Sequence, residues 1–375
     1  MEILGNYGEM IRALGNGCIY PNSFLHESGS DVEVWQRMNR KLITDMLSYA
    51  PKHTPLDAVV EKKQVRDGVC YEYISYGQPF GPRTEGVFLY PENHTGMLPC
   101  VVALHDHGGF KFFGKEKLVE MDNEPAVLTG FKAESYEGES WASALAKRGY
   151  AVFVHDVFMW GSRRQDEKTT RAEFVGDAFK DIGGEDEYIR AYNNFSGNYE
   201  TLIAKSLFLV GSSWPGIMLY EDMRAVDYVL TRPEINVDRI GCCGLSCGGL
   251  RTVFMAAMDE RIKCSVCIGF MSVFAETAVE NVHCHTWMFH LPGIAGFLDL
   301  PDIYSLHGKK PTMALYDRDD QLWSLEGQEK AHEKLKQIYS KMDAEDLYCG
   351  KFYPGPHKFD RAMQRDAFEF FDERL

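Results

Sequence analysis

Along most of the chain, short apolar runs of strand length alternate with segments in which the apolar residues have helical spacing. Between residues 140 and 147 they have helical spacing, and the segment ends at Gly149, a typical helix stop. Strands that alternate with helices in this way predict the α/β class, a mostly parallel sheet with helices on both faces. Functional residues of such sheets collect at the carboxyl ends of the strands. The apolar runs of strand length lie at residues 59–65, 69–76, 86–90, 98–104 and 150–156.

Two segments depart from this alternation. Residues 1–65 are predicted to form a mostly helical extension, because residues 31–50 place Val32, Trp35 and Met46 at helical spacing. Residues 66–375 would then form the main α/β domain. Inside it, residues 164–211 make a long acidic connection that carries several aromatic residues. Long connections in compact folds are often lids, so we predict a cap; the alternative is a surface excursion without substrate contact.

The hexapeptide at residues 244–249 combines glycine and serine as Gly-Leu-Ser-Cys-Gly-Gly. It follows an apolar run at residues 239–243 and precedes helical spacing at Leu250, Val253 and Ala257. A strand, Gly-x-Ser-x-Gly and a helix together predict a nucleophile elbow, a turn so tight that the serine hydroxyl stands free above the sheet. Ser246 is therefore the candidate nucleophile; the alternative is an ordinary serine in a strand-to-helix turn.

A serine nucleophile needs an acid and a histidine base, in that order along the chain. Residues 310–316 resemble a buried strand, and Asp317, Asp319 and Asp320 follow it. We predict Asp320 as the acid because it lies on the loop before the next helix, with Asp319 as the alternative and Asp317 as a brace. His357 lies on a Pro- and Gly-rich loop before the last helix, and is the candidate base unless it only caps that helix.

The oxyanion of an acyl-transfer reaction needs two amide donors. One is predicted to be the N–H of Cys247, the residue after the nucleophile. The other is predicted in the loop at residues 105–110, which follows the strand 98–104 and contains two glycines that allow close approach to a ligand. The His107 amide is the candidate there, with the Gly108 amide next. Aromatic residues predicted to line the substrate pocket are Phe110, Trp160, Trp287 and Trp323.

Composition limits the classes of partner. The formal net charge is −15 and the pI is near 5.3, which disfavours nucleic acid and anionic membranes. No apolar run reaches the ~18 residues of a membrane span, and the N-terminus has no basic segment followed by an apolar one, so a cytoplasmic location is expected. The sequence does not set the oligomeric state, and a homo-oligomer stays open.

Histidines and cysteines raise the question of a metal or a redox site. His283, His285 and His290 share one connection, but no spacing supplies a full ligand set with His105 and His107, so no metal and no cofactor are predicted. Five of the ten cysteines fall in strand-like apolar runs, including both members of the Cys-x-x-Cys pair at residues 264–267. Cysteines in such runs are expected to pack as small hydrophobes.

From about residue 85 onward, the chain resembles the α/β-hydrolases, in particular dienelactone hydrolases and acetyl xylan esterase-like carbohydrate esterases. The resemblance includes the loop at 105–110, the strand 150–156 with Gly161-Ser162-Arg163 beyond it, and the segments 221–228 and 298–302. It implies an α/β-hydrolase fold with Ser246, Asp320 and His357 as the triad and the His107 and Cys247 amides as donors. Three positions depart from the family pattern: Asp106, Cys247 and Ser324.

These features together predict a serine hydrolase that cleaves carboxylic esters through an acyl-enzyme on Ser246. The resemblance implies short acyl groups, such as acetyl on a carbohydrate or a small molecule. Hydrolysis of a lactone, an amide or peptide, or a carbon–carbon bond uses the same groups and is the alternative. A non-catalytic binding protein on the same fold is a further one, because fold does not determine function.

Overall fold

The computed structural model describes residues 3–29 and 31–375, and its framework is a nine-stranded sheet. The strands are β1 (Val59–Arg66), β2 (Val69–Tyr76), β3 (Thr84–Pro91), β4 (Leu98–Leu104), β5 (Ala151–His155), β6 (Ile235–Leu245), β7 (Cys264–Ile268), β8 (Thr312–Asp317) and β9 (Tyr348–Tyr353). Their order is β1-β2-β3-β5-β4-β6-β7-β8-β9. The pairs from β5 to β9 are parallel, whereas β1, β2 and β3 pair antiparallel and β3 pairs antiparallel with β5. The mostly parallel sheet predicted from the alternation is confirmed.

Helices cover both faces of this sheet. They are α1 (Gly8–Asn16), α2 (Val32–Leu47), α3 (Ala126–Tyr136), α4 (Trp141–Lys147), α5 (Ala172–Val175), α6 (Glu185–Asn198), α7 (Glu200–Leu209), α8 (Trp214–Val229), α9 (Cys247–Met258), α10 (Phe274–Glu280), α11 (Leu300–Ser305), α12 (Leu325–Lys341) and α13 (Arg361–Arg374). β4 shows how the two faces are filled, since successive side chains of a strand point to opposite sides. Val102 and Leu104 join the core with α8, α9 and α12, whereas Val101 and Ala103 join the core with α4 and α13.

The N-terminal segment lies against this body as helices α1 and α2. The helix predicted at residues 31–50 is observed as α2, which buries Trp35, Ile43 and Leu47 and is capped by the Asp31 side chain. The helical part ends before β1, because the strand expected at residues 59–65 is present at the sheet edge. Residues 1, 2 and 30 of this segment lie outside the described residues.

The long connection at residues 164–211 folds into α5, α6 and α7. Its aromatic residues form a small core of their own around Tyr192, Phe195 and Tyr199. Among the described residues, no single helix is long and apolar enough to cross a membrane, although α6–α7 with α8, bent by 91°, would qualify as a pair.

Candidate active site

Ser246 lies in the turn between β6 and α9, with φ +58° and ψ −124°. A positive φ is rare for a non-glycine residue and is the backbone strain typical of a nucleophile elbow. The turn requires small neighbours: a Cβ on Gly244 would lie 2.5 Å from the Leu104 carbonyl oxygen, and a Cβ on Gly248 would lie closer still. The sequence thus folds the elbow tightly against the end of β4, where the predicted oxyanion loop begins.

The structure pairs His357 with Asp320 rather than with Asp319. The Nδ1–H of His357 donates to Oδ2 of Asp320 over 2.6 Å, and Oδ1 of Asp320 accepts from the Leu322 amide over 2.8 Å. Asp319 is exposed and accepts instead from the Gly355 amide. Asp317 is buried and accepts from the Lys358 amide at the base of the histidine loop.

Three carboxyl groups set the charge around His357. Burial is the largest single influence and lowers the pKa of His357, but it is outweighed by the hydrogen bond and charge of Asp320 together with the charges of Asp317 and Asp106. The pKa of His357 is therefore raised above its ordinary value. Burial raises the pKa of Asp317 to about 7, although the Lys358 amide and His357 oppose this rise. An imidazolium at position 357 is thus favoured by its surroundings.

A cavity of about 260 Å³ brings Ser246 and His357 together. The Nε2 atom of His357 is buried and has no hydrogen-bond partner among the described residues. Since Nδ1–H is used by Asp320, Nε2 of the neutral ring carries the free lone pair. Bonds between a nucleophile and its base are often long without substrate, so a free Nε2 in this cavity is compatible with a base. The remaining lining residues are His107, Gly108, Gly109, Cys247, Leu250, Phe270, Cys284, His285, Thr286, Met288, Phe289 and Leu322.

Two buried lysines hold the predicted oxyanion loop. Nζ of Lys117 donates to the carbonyl oxygens of Asp106 and His107 over 2.9 and 3.1 Å, and to Oδ2 of Asp106 over 3.2 Å. The Tyr136 hydroxyl donates to the other carboxylate oxygen of Asp106. Asp106, one of the three positions that depart from the family pattern, therefore fixes the loop through its contacts with Lys117 and Tyr136.

The second lysine acts through the His107 side chain. The Gly109 amide donates to Nδ1 of His107 over 2.9 Å, which places the proton of the neutral ring on Nε2. Nε2–H then donates to Oε1 of Glu200 in α7 over 2.6 Å, and the buried Lys111 ammonium donates to the same oxygen. Both nitrogens of His107 are thereby used, and its ring braces the loop.

The two residues with the predicted amide donors, His107 and Cys247, line the same cavity as Ser246. Cys247 is the first residue of α9, so its amide has no acceptor inside the helix. His107 and Gly108 line the same cavity as Ser246, and Gly108 has φ +56°. A Cβ on Gly108 would collide with the Asp106 carboxylate and the Phe131 ring, so only glycine fits there.

None of the four predicted pocket aromatics lines this cavity. Phe110 stacks on Phe131 at 5.1 Å in a separate apolar cluster. Trp160 is fully buried behind His107, and Trp287 bonds to Thr201 in α7. Trp323 lies one layer behind the cavity and donates to the Gly269 carbonyl. The four residues thus lie outside the cavity that contains Ser246, because hydrophobicity alone does not distinguish an aromatic ring that fills the core from one that faces a cavity.

The observed apolar wall consists of Leu250, Phe270, Met288, Phe289 and Leu322. Neither these residues nor Glu200, Lys111 and Lys117 are among the site residues predicted from the sequence. The helical spacing that begins at Leu250 was a usable signal, since it places the first turn of α9 at the elbow. The sequence around Lys111 and Lys117 contains no comparable signal, because the burial of these lysines depends on partners that are distant in sequence.

Distances alone also permit a cation between Asp317, Asp320 and His357. Their potential ligand atoms lie within 4.8 Å of one another, and among the described residues no other histidine, cysteine or carboxylate cluster has this geometry. The hydrogen bond between His357 and Asp320 already uses one atom of each residue. The donor set therefore suits proton transfer better than metal binding. The histidines at 105, 107, 283, 285 and 290 are not brought together as ligands.

Comparison with known proteins agrees with this architecture. A family model described as BAAT / Acyl-CoA thioester hydrolase C terminal matches residues 220–290. The Bacillus subtilis (strain 168) protein named "Putative hydrolase YtaP" is 26% identical over 341 residues, which cover 90% of this chain and 98% of that protein.

Solved structures with the same architecture include a protein described as a putative acetyl xylan esterase from Bacteroides fragilis NCTC 9343. It has a TM-score of 0.68 and 17% identity, over 92% of this chain and 81% of that one. Glucuronoyl Esterase from Solibacter usitatus has a TM-score of 0.61 and 11% identity, over 91% and 93%. The chain therefore has the α/β-hydrolase fold, which confirms at the level of fold the resemblance seen in the sequence.

Proposed function

We propose that this protein is a serine hydrolase that cleaves carboxylic esters, with Ser246 as nucleophile, His357 as base and Asp320 as the orienting acid. One observation carries the proposal: the imidazole that Asp320 holds at 2.6 Å keeps its other nitrogen unbonded in the cavity that contains the strained Ser246. The fold and the descriptions of its relatives as hydrolases and esterases support it.

The proposed reaction proceeds through an acyl-enzyme. Nε2 of His357 takes the proton of Ser246 as Oγ attacks the ester carbonyl carbon. The tetrahedral oxyanion accepts hydrogen bonds from the His107 and Cys247 amides. His357 then gives its proton to the alcohol oxygen as the C–O bond breaks. Water, deprotonated by the same nitrogen, attacks the acyl-enzyme and releases the carboxylic acid and Ser246.

The cavity favours a short acyl group. Its volume of about 260 Å³ lies below the ~300–1,000 Å³ of pockets that enclose drug-sized ligands. Of the described residues that line it, none is a lysine or an arginine, so the wall offers no charged partner for an anionic substrate such as a coenzyme A thioester. We therefore assign acetyl esters of a carbohydrate or a small molecule as the substrate class.

Hydrolysis of 4-nitrophenyl esters from acetyl to octanoyl tests the proposal. The wild type should prefer acetyl, and Ser246→Ala should lower kcat at least ~10³-fold. Ser206→Ala, an exposed serine on α7, is the matched control and should keep wild-type rates. A wild type that is inactive on the whole series, or a Ser246→Ala variant that equals it, would refute the assignment.

A further inference from the structure

His285 lines the candidate cavity, and one nitrogen of its ring is a hydrogen-bond acceptor without a partner in the described part of the chain. Its Nε2 lies 2.9 Å from the Leu322 carbonyl oxygen, which can only accept, so Nε2 carries the proton. Nδ1 of the neutral ring then has a lone pair, and this atom has no hydrogen-bond partner among the described residues. Burial lowers the pKa of His285 to about 4, which keeps the ring neutral over the working range of an esterase.

The ring is held rigidly in this position. It packs against Trp323 with the ring planes tilted by 40° and the centroids 4.1 Å apart, and it contacts Phe270 and Phe289 at 6.0 and 5.1 Å. Trp323 is itself fixed by its bond to the Gly269 carbonyl. An acceptor presented by a rigid ring discriminates better than one on a mobile chain, because little entropy is lost on binding.

His285 also lies near the proposed acid–base pair Asp320 and His357. Its hydrogen-bond partner Leu322 is two residues from Asp320, and the charges of both Asp320 and His357 act on the imidazole. In the proposed reaction, His357 delivers its proton to the departing alcohol. A group bound at His285 therefore belongs to the alcohol part of the ester.

We propose that Nδ1 of His285 accepts a hydrogen bond from a hydroxyl group of the alcohol part, which makes the enzyme selective for esters of uncharged, hydroxylated alcohols. This inference rests on the proposed ester hydrolysis at Ser246. The other histidine on the wall cannot serve, because both nitrogens of His107 are already used. The absence of lysine, arginine and carboxylate side chains among the described lining residues agrees with an uncharged ligand.

Two acetates that differ only in their hydroxyl groups test the inference. Glycerol monoacetate and propyl acetate have the same three-carbon alcohol skeleton, and acetic acid release can be followed for both at constant pH. The wild type should have a kcat/KM about five- to tenfold higher for glycerol monoacetate. His285→Phe, which keeps the aromatic contacts but removes the acceptor, should abolish this preference by lowering kcat/KM on glycerol monoacetate more than on propyl acetate.

Two further variants separate binding from structure. His285→Asn places an acceptor close to the Nδ1 position while losing the bond to Leu322, so it should retain a preference for glycerol monoacetate. His290→Phe, on the same connection but absent from the cavity wall, should behave like the wild type.

The outcomes also separate the two proposals. A wild type without preference, or a His285→Phe variant that loses activity equally on both acetates, would overturn the role of His285. A wild type that hydrolyses neither acetate nor any 4-nitrophenyl ester would instead refute the ester hydrolase assignment.

Discussion

Removal of the Glu200 carboxylate is expected both to destabilise the protein and to loosen the loop at residues 105–110, which carries the proposed oxyanion donor. Glu200 lies on α7 of the long connection, and one of its oxygens accepts from both His107 and Lys111. The Lys111 side chain is 1% exposed. In Glu200→Ala this ammonium would stay buried without its carboxylate, and Nε2–H of His107 would lose its acceptor.

The structure sets the size of the effect. Loss of one partner from a buried ion pair typically costs about 3–5 kcal/mol. Two features favour the lower end: Lys111 keeps contacts with the Trp160 and Trp214 rings, at 4.3 and 5.9 Å, and burial has already lowered the pKa of its ammonium. We expect the free energy of unfolding to fall by about 3 kcal/mol. Loosening an oxyanion donor should reduce the stabilisation of the transition state less than removing the donor would. We therefore expect kcat to fall about tenfold.

Urea unfolding and ester hydrolysis measure the two effects. The decisive variant is Glu200→Ala with Lys111→Met, which removes the buried charge as well as its partner. It should regain most of the lost stability but not kcat, because His107 still lacks its acceptor. Wild-type stability in Glu200→Ala, or no recovery in the double variant, would refute the electrostatic reasoning.

Three further changes test the candidate triad. Asp320→Asn should lower kcat about 10⁴-fold on 4-nitrophenyl acetate, whereas Asp319→Asn should stay within about twofold; equal losses would contradict the pairing seen here. Gly269→Ala should lower kcat at least about tenfold in the same assay, because a Cβ there would lie 2.8 Å from Cε1 of His357 at a φ of +58°; wild-type turnover would show that His357 tolerates this displacement. Asp317→Asn should move the acidic limb of the kcat/KM profile to lower pH, since the charge of Asp317 helps to raise the pKa of His357 and the base works only when unprotonated. The same change should stabilise the protein above pH 7, because the raised pKa of Asp317 stabilises the fold at low pH and this contribution is lost as pH rises through about 7; an unchanged rate profile and unchanged urea midpoints would contradict both expectations.

The parts of the site that depend on local sequence could be predicted. The elbow needs glycines at fixed distances from Ser246, and both the strand before it and the helix after it leave a periodic pattern. Asp320 was favoured over Asp319 from its place on the loop before α12, and the structure pairs it with His357. In each case the pattern that supports the prediction lies within a few residues along the chain, although the contact between Asp320 and His357 spans 37 residues.

The cavity wall and the clamp on the oxyanion loop could not be predicted in this way. Lys111 and Lys117 are charged, and composition predicts such residues at the surface. Lys111 is buried because Glu200, which is 89 residues away, supplies a carboxylate for its ammonium. The aromatic residues were misplaced in the opposite sense. Phe110 and Trp160 have the chemistry of pocket residues, but they are buried in the core by contacts with α3 and by the packing of the loop after β5.

The charges that support the triad also restrict the substrate. Asp320, Asp317 and Asp106 all raise the pKa of His357, and in the proposed reaction they would stabilise the imidazolium that forms as Ser246 attacks. The same negative groups oppose a carboxylate in the cavity. The nearby lysines cannot offset them, since Lys111 is paired with Glu200 and Lys117 with Asp106. An uncharged ester meets no such repulsion, so the arrangement that favours proton transfer to His357 also favours acetates of neutral alcohols over esters of uronic acids whose other groups are ionised.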